Sequence, residues 1–257
     1  PVYRSLSEIR EEVGVAGPQI VEHPGKIYWR DGYFFINETG KGIHDINNTD
    51  PTNPVIESFI NVPGTSELAV QGNILYVDSY VDLLAIDISN VTDPRVLHRE
   101  ENAFANSDFG FTVAPTLGLL VAWEQSAAVS RTEGECASRG NAFFDNDALW
   151  VRADFAGNLS AVSNEVASAG GSVGVGGSMA RFTINQGFLY AVSSSQLYGF
   201  DLANPLEPNL TNTTALDWGI ETIYPYKDML FMGANNGMHI YDVNTQANPR
   251  RLSFYSH

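Results

Sequence analysis

The chain has 257 residues, and its 30 acidic and 14 basic side chains give a net charge of −16. Such an acidic excess repels phosphate backbones, so a nucleic-acid partner is excluded. No apolar run approaches the roughly 20 residues that a membrane-spanning helix needs. The lone cysteine, Cys136, cannot form a disulfide within the chain.

Residues 1–24 are predicted to form a separate N-terminal helical clasp. Ser5 is followed three residues later by Glu8, and apolar side chains occur at Leu6, Ile9 and Val13. This spacing is typical of a capping box on a short amphipathic helix. We expect the helix to pack against the rest of the fold, and the alternative is a docking helix for another protein. The first residue is Pro1, which indicates that a leader was removed or that the chain was cut.

A repeated sequence pattern dominates the remaining sequence. Two short apolar runs rich in Tyr, Phe, Ile and Val are followed by an aspartate, and a turn rich in Asn, Asp and Pro comes next. The repeated aspartates are Asp45, Asp87, Asp201 and Asp242. Two of the three intervals are about 40 residues, the length of a four-stranded propeller blade. The pattern therefore predicts an all-β fold, a β-propeller of four-stranded blades.

The third interval, from Asp87 to Asp201, is nearly three times as long as the other two. It holds either two degenerate blades or one blade with a long insert. We favour the insert, because residues 111–123 match the first half of the repeated pattern and do so only once. A propeller is thus predicted over residues 25–257, with about five blades. Their expected bounds are 25–64, 65–105, 106–178, 179–216 and 217–256.

The predicted insert covers about residues 124–177 and is rich in glycine. One interpretation is a functional loop that caps the channel or binds a partner, and the other is a flexible loop without such a role. Asp145, Asn146 and Asp147 resemble a fragment of a calcium loop, but the glycine and glutamate of a complete loop are missing. We expect no cofactor there, with calcium as the alternative to a solvated acidic turn.

A candidate binding site comes from aligning the innermost strands of the blades. The alignment brings Glu67, Arg181 and Glu221 into equivalent positions, where they would line the axial channel as a ring of alternating charge. The ring is either a structural set of salt bridges or a polar socket for a ligand or a partner's side chain. In the second case Trp218 and Tyr80 would form its aromatic walls.

No catalytic motif occurs with the spacing that its chemistry needs. Asp78 with Asp82, or Glu67 with Glu221, could serve as the paired carboxylates of a glycosidase or lyase, but acidic pairs are common in a chain this acidic. His44 and His239 fall at matching repeat positions, which indicates a structural role. We therefore predict that the protein is not an enzyme.

The repeats resemble those of the LVIVD-repeat family of β-propellers. The resemblance is carried by residues 84–89 with Asp93 and Pro94, by residues 237–243 with Asn248 and Pro249, and by residues 40–44 and 177–182. It implies a secreted, periplasmic or outer-membrane surface protein of a Gram-negative bacterium. It also implies an export signal, often of the lipoprotein type, with a lipid anchor upstream of Pro1.

Members of that family usually continue for further blades. Five blades could close a small ring, the chain could be part of a longer propeller, or a partner could supply the rest. We predict a non-catalytic surface module that binds or assembles with another protein, with a glycan as the alternative ligand. The alternatives are a structural subunit of a larger surface assembly and a carbohydrate-active enzyme that uses channel-face carboxylates.

Overall fold

The computed structural model describes residues 1–104, 111, 113–124 and 180–256. The chain divides into two compact units. One comprises residues 1–2 and 122–176, and few of its residues are among those described. The other comprises residues 3–121 and 177–257 and contains the blades, to which the following paragraphs refer.

Three sheets of the blade-containing unit have the predicted four-stranded antiparallel order, and a fourth has this order plus one added strand; we number these blades I to IV. Blade I consists of β3 (Pro24–Arg30), β4 (Tyr33–Glu38), β5 (Gly42–Asn47) and β6 (Val55–Asn61). Blade II consists of β7 (Leu68–Gln71), β8 (Ile74–Ser79), β9 (Asp82–Asp87) and β10 (Arg95–Glu100). Blade III consists of β13 (Phe182–Asn185), β14 (Phe188–Val192), β15 (Gln196–Asp201) and β16 (Asn209–Ala215). Blade IV consists of β17 (Ile220–Tyr226), β18 (Met229–Ala234), β19 (Gly237–Asp242) and β20 (Arg250–Ser256).

The remaining strands are short. Strand β2 (Gly14–Ala16) pairs with β6 and adds a fifth strand to blade I. A separate three-stranded sheet has the order β1 (Val2–Arg4), β12 (Gly118–Ala122) and β11 (Val113–Ala114). The N-terminal segment therefore contributes strands as well as the predicted helix.

The repeated acidic residue closes the turn after the third strand in blades II to IV. Asp87, Asp201 and Asp242 each accept a hydrogen bond of 2.8 Å from the backbone amide two residues later. These Asx turns lead into the fourth strand, as predicted. In blade I the equivalent residue is Asn47, which accepts from the amide of Thr49 at 3.0 Å. The alignment of Asp45 with the other aspartates was therefore wrong by two residues.

Asp45 instead occupies the fourth position of its strand, where the other blades have Ala85, Gly199 and Ile240. It is 1% exposed, and neither carboxylate oxygen has a hydrogen-bond partner among the described residues. Burial, together with the nearby charge of Glu57, raises its pKa to about 7. Blade I thus carries a buried acid where its repeats carry small or apolar side chains.

Consecutive blades share three apolar cores. One core joins blade I to blade II around Phe35 and Leu75, and another joins blade III to blade IV around Tyr190 and Leu230. The third joins blade II directly to blade III. Its largest members are Tyr76, Phe104, Phe182, Tyr198 and Phe200.

The direct packing of blade II on blade III differs from the expected order. A blade formed by residues 106–178 was predicted between them. The described part of that range provides only the paired strands β11 and β12, and β12 pairs on its other edge with β1. The physical reason is that β1 pairs with the edge of β12 at which the third strand of the predicted blade would pair.

The predicted N-terminal helix is present as α1 (Leu6–Glu11), with a capping box in which Ser5 and Glu8 exchange hydrogen bonds of 3.2 Å. Ile9 packs with Val81 and Leu119, so the helix covers the turn between β8 and β9. Arg10 forms a bidentate ion pair with the buried carboxylate of Asp82 at 2.8 and 3.0 Å. The helix is therefore fixed to blade II by both apolar and ionic contacts.

Candidate functional site

The innermost strands place four residues at equivalent positions, each directly before the residue that pairs with the fourth residue of the second strand of its blade. These residues are Lys26, Glu67, Arg181 and Thr222. Glu67 and Arg181 are equivalent, as predicted from the repeat. Lys26 was missed, and Thr222 takes the place that was predicted for Glu221. Within blades I to III the charges alternate in sign, so Glu67 has a basic residue on either side along the row.

Glu221 is displaced by a register shift between Ile220 and Thr222 in blade IV. Its side chain is exposed, and the hydroxyl of Thr222 donates a hydrogen bond of 3.1 Å to the carbonyl of Ala180 in the neighbouring segment. The predicted Glu221 position in the ring was therefore wrong, because a β-bulge inserts one residue and changes which side chain faces a given direction.

Glu67 joins three blades through its two carboxylate oxygens. One oxygen lies 3.3 Å from the Nζ of Lys26 in blade I. The other accepts a hydrogen bond of 3.1 Å from the backbone amide of Arg181 at the start of blade III. We call Lys26, Glu67 and Arg181 the inner cluster. Within this cluster Lys26 forms the ion pair with Glu67. Arg181 contacts Glu67 through its main-chain amide.

Asp78 holds the segment that carries Glu67. This carboxylate is buried and accepts hydrogen bonds from the backbone amides of Ser66 and Glu67 at 2.7 and 2.8 Å. The hydroxyls of Thr65 and Ser66 donate two more, at 3.1 and 2.7 Å. Four donors on one carboxylate fix the conformation of residues 65–67, so the Glu67 side chain starts from a rigid backbone.

Burial dominates the electrostatics of the inner cluster. It raises the pKa of Glu67 to about 7, although the charge of Lys26 opposes the shift. Burial also lowers the pKa of Lys26, with the charge of Glu67 acting in the opposite direction. Burial raises the pKa of Asp78 too, and its four hydrogen bonds counteract this. Glu67 is thus the carboxyl group of this cluster that can change protonation near neutral pH.

Two predicted aromatic walls lie elsewhere. Tyr80 stacks edge-on against Phe111 with ring centroids 5.0 Å apart and belongs to the apolar group under α1. Its ring also covers Gly64, where an added Cβ would approach within 2.4 Å. Trp218 is 55% exposed in the connection before β17. The structure therefore brings neither aromatic ring into the hydrogen bonds and ion pair of Glu67.

The other acidic candidates have structural contacts. Asp82 is 2% exposed and is engaged by Arg10, by Arg99 at 2.9 Å and by the amide of Asn102 at 2.8 Å. His44 and His239 occupy the same position in β5 and β19, and both are buried. His44 contacts Glu38 at 3.0 Å. Asp82 and His44 are thus each engaged by neighbouring side chains.

Two blade faces are apolar and solvent-accessible. Side chains directly opposite each other on paired strands share a face. On the face of blade I turned away from blade II lie Ile27, Trp29, Phe34, Ile36 and Ile46. On the face of blade IV turned away from blade III lie Tyr224, Tyr226, Phe231, Met238 and Ile240.

Large hydrophobic side chains are exposed on these faces. Trp29 is 60% and Ile27 61% exposed, and Tyr224 and Tyr226 are 64% and 50% exposed. The corresponding faces of blades II and III are buried in the shared cores. We call the two surfaces the back face of blade I and the front face of blade IV. Contiguous exposed apolar surface of this kind marks interaction sites.

Within the described ranges, no three His, Cys, Asp or Glu side chains are grouped so as to hold a metal ion. The same part of the chain contains no helix long and apolar enough to cross a membrane. Three predicted features lie outside the described residues. They are the insert, of which only Glu124 is described, the acidic turn at Asp145 to Asp147, and Cys136.

No protein-family model and no curated protein sequence matches the chain. Solved structures do match it in fold. A protein from Lactobacillus plantarum superimposes with a TM-score of 0.53 and 9% identity, over 94% of this chain and 57% of its own. The periplasmic gluconolactonase of Pseudomonas aeruginosa superimposes with a TM-score of 0.53 and 11% sequence identity, over 94% of this chain and 58% of its own.

These similarities, with the blade sheets, define the protein as an all-β protein of the β-propeller class. At such low identity the likeness extends to the fold alone. The chain spans less than three fifths of the length of either matched protein. The matched propellers thus contain more chain than the region to which blades I to IV correspond.

Proposed function

We propose that the protein is a non-catalytic β-propeller module that binds or assembles with another protein through two surfaces, the back face of blade I and the front face of blade IV. We call these two surfaces the end faces of the blade row. The observation that carries the proposal is the exposure of Trp29 and Tyr224 on faces whose equivalents between blades are buried. Aromatic side chains of this size supply much of the binding energy at protein interfaces. An LVIVD-type module at the surface of a Gram-negative bacterium, with a lipid anchor upstream of Pro1, is the setting that we propose.

The inner cluster supports a structural role for the charged residues. Glu67 contacts Lys26 and the amide of Arg181, and its side chain is only 6% exposed. A buried carboxylate of this kind connects blades I, II and III. A partner would then be recognised on the blade faces and not in a charged socket.

Site-specific photo-crosslinking tests the proposal in the cells that make the protein. A photoreactive amino acid replaces Trp29, Tyr224 or, as a control, Val96, which is 41% exposed on the outermost strand of blade II. The proposal predicts a discrete crosslinked protein species at Trp29 and Tyr224 and none at Val96. Absence of crosslinks at both end faces, or equal labelling at Val96, would contradict it.

A second candidate function is a carbohydrate-active enzyme. It is favoured by the pKa of about 7 at Glu67, which suits a general acid or base, and by the shared fold with a gluconolactonase. Against it, the carboxylates of Asp78 and Asp82 each accept hydrogen bonds from several donors. The bulge in β17 also moves Glu221 out of the position equivalent to that of Glu67. If purified protein cleaves a sugar lactone or a glycan and Glu67→Gln abolishes that activity without unfolding the protein, this candidate replaces the first.

A further inference from the structure

The interface between blades I and II lacks a hydrogen bond that the other two interfaces share. We call the face that a blade turns to the next blade its front, and the segment between its third and fourth strands its closing turn. On the fronts of blades II and III, Tyr76 and Tyr190 donate to a carbonyl in the closing turn of the next blade. Blade I has Phe35 at this position, and Asp45 lies opposite it, where the other two blades have alanine and glycine. The first interface thus has a buried carboxyl group and no tyrosine hydroxyl.

A cleft of about 270 Å³ lies between blades I and II at this point. Blade I contributes Tyr33 and Phe35 to its wall, and blade II contributes its closing turn at residues 88–91. The carbonyl of Val91 is four residues after the Asx-turn aspartate, as are the carbonyls that the two tyrosines bind. Here it accepts a bond of 3.4 Å from the hydroxyl of Ser58, which is long for such a donor. The cleft therefore occupies the place of the tyrosine link.

Three buried carboxylate oxygens on the blade I side of the cleft have no hydrogen-bond partner among the described residues. Two belong to Asp45, which lies between Phe35 and Ser58 on the front of the blade. The third is Oε2 of Glu57, whose other oxygen accepts from a side-chain amide at 2.7 Å. Buried acceptors without donors are costly, so the group that fits here supplies donors or positive charge.

The rim of the cleft is already neutralised. Arg30 lies there, and its Nε donates to Asp31 at 3.1 Å, while a terminal nitrogen donates to the side chain of Asn73. The closing turn of blade II, at residues 88–91, has no charged side chain. The charge of Arg30 is thus balanced at the rim, and it leaves the inner carboxyl groups without a cation.

We propose that this cleft binds an ammonium or guanidinium group on a short apolar stem, with Asp45 and Glu57 as its acidic partners. Such a group has donors and no acceptor, which matches the oxygens without partners. The rings of Tyr33 and Phe35 can contact the stem and attract the charge. The site lies between two blades and not on an end face, so it goes beyond the proposed function.

Size and donor set favour an organic cation. The cleft is slightly smaller than the pockets of roughly 300–1,000 Å³ that hold drug-sized ligands, so it admits a small amine or a single lysine or arginine side chain. A calcium ion takes about six to eight oxygen ligands. No three acidic, histidine or cysteine side chains are grouped for such an ion in the described ranges.

Binding is coupled to the protonation of Asp45. Burial and the charge of Glu57 raise its pKa to about 7, so the empty site holds a proton there at lower pH. A bound cation favours the carboxylate, so the proton leaves on binding, and the affinity falls by about tenfold from pH 8 to pH 6. The other titratable and charged groups at the cleft are Tyr33 and the rim pair of Arg30 and Asp31.

Calorimetric titration of the whole chain at pH 8 with butylammonium chloride tests the site. Butanol is the neutral control, because it has the same stem without the charge. N-acetyl-lysine methylamide represents the side chain of a protein partner. Binding of butylammonium alone would identify a free amine as the ligand, and equal binding of the lysine derivative would identify a partner's side chain. Backbone amide chemical shifts of residues 88–91, measured by NMR, report whether the bound cation lies in the cleft.

Asp45→Asn and Glu57→Gln should each lose at least tenfold in affinity for butylammonium, and Asp45→Asn should also lose the pH dependence. Glu207→Gln is the matched control, since it removes an exposed charge from the closing turn of blade III and should bind as the wild type does. Saturable binding of neither cation, or equal binding of butanol, would overturn the proposal. Wild-type affinity in Asp45→Asn, shown to be folded by circular dichroism, would overturn it too.

Discussion

The hydroxyl of Tyr76 in blade II donates a hydrogen bond of 2.8 Å to the backbone carbonyl of Pro205 in the turn of blade III. Tyr190 in blade III makes the same bond to the carbonyl of Gln246 in blade IV, at 3.0 Å. The bond is thus a repeated inter-blade link, formed between the front of one blade and the closing turn of the next. It shows that blades II and III are direct neighbours, although blade II ends at Glu100 and blade III begins at Phe182.

Removing this hydroxyl should weaken the blade interface. Tyr76→Phe leaves the ring in its core but deprives the Pro205 carbonyl of its donor, at an expected cost of about 1 kcal/mol in the free energy of unfolding. Urea denaturation followed by fluorescence measures the change. Tyr255→Phe is the control, because Tyr255 is 75% exposed. Equal stabilities of the two variants would contradict the link.

The ion pair of Lys26 with Glu67 should show strong coupling in a double-mutant cycle. Lys26→Met leaves a buried carboxylate without its cation and is expected to cost about 3 kcal/mol in unfolding free energy. Combining it with Glu67→Leu should recover most of the loss, since no unpaired charge then remains.

The exposed pair of Lys41 with Glu22, at 2.6 Å, provides the control for that cycle. Solvent screens it, so Lys41→Met with Glu22→Leu should show no measurable coupling. Additive effects of Lys26→Met and Glu67→Leu would mean that the inner cluster does not hold the blades together.

Asp45 should make the protein less stable as pH rises. The free carboxyl group titrates near pH 4, whereas the folded protein keeps Asp45 protonated up to about pH 7. The folded state binds more protons in this interval, so the unfolding free energy falls from pH 4 through pH 7.

Asp45→Asn removes this titration. The variant should be more stable than the wild type by roughly 1–3 kcal/mol at pH 8 and should lose that advantage at pH 4. Thermal denaturation across this pH range provides the measurement. Parallel pH profiles for the two proteins would show that Asp45 is not a buried neutral acid.

The N-terminal helix should depend on Asp82. Asp82→Ala leaves Arg10 and Arg99 without their shared carboxylate, and the expected cost is roughly 3–5 kcal/mol in unfolding free energy. Hydrogen exchange of residues 6–12 should accelerate in the variant. Asp93→Ala removes an exposed pair with Arg95 and should change neither quantity. Unchanged exchange in Asp82→Ala would contradict the anchoring.

The sequence predicted what depends on local chemistry. The capping box of α1 and the turns that lead into each fourth strand depend on neighbouring residues, and the structure confirms both. The confusion of Asp45 with Asn47 arose because residues two apart on a strand share a face and both positions carry a turn-forming side chain. The hydrogen bond from the Thr49 amide to Asn47 and the pairing of Asn47 with Tyr33 at the strand end identify the capping residue.

The errors at the inner cluster have a different origin. Irregular pairing between Pro24 and Ile27 hides the equivalence of Lys26 with Glu67, and the bulge in β17 displaces Glu221. A bulge changes side-chain direction without a reliable sequence signal. The pairing of β1 with β12 joins residues more than 100 positions apart, which no local pattern encodes.

The central claim is that the end faces of the blade row are interaction surfaces. Photo-crosslinking from Trp29 and Tyr224, with Val96 as the control position, tests it most directly. The account predicts a discrete crosslinked protein species from each end face and none from Val96. Crosslinking from neither end face, or equal labelling at Val96, would contradict it.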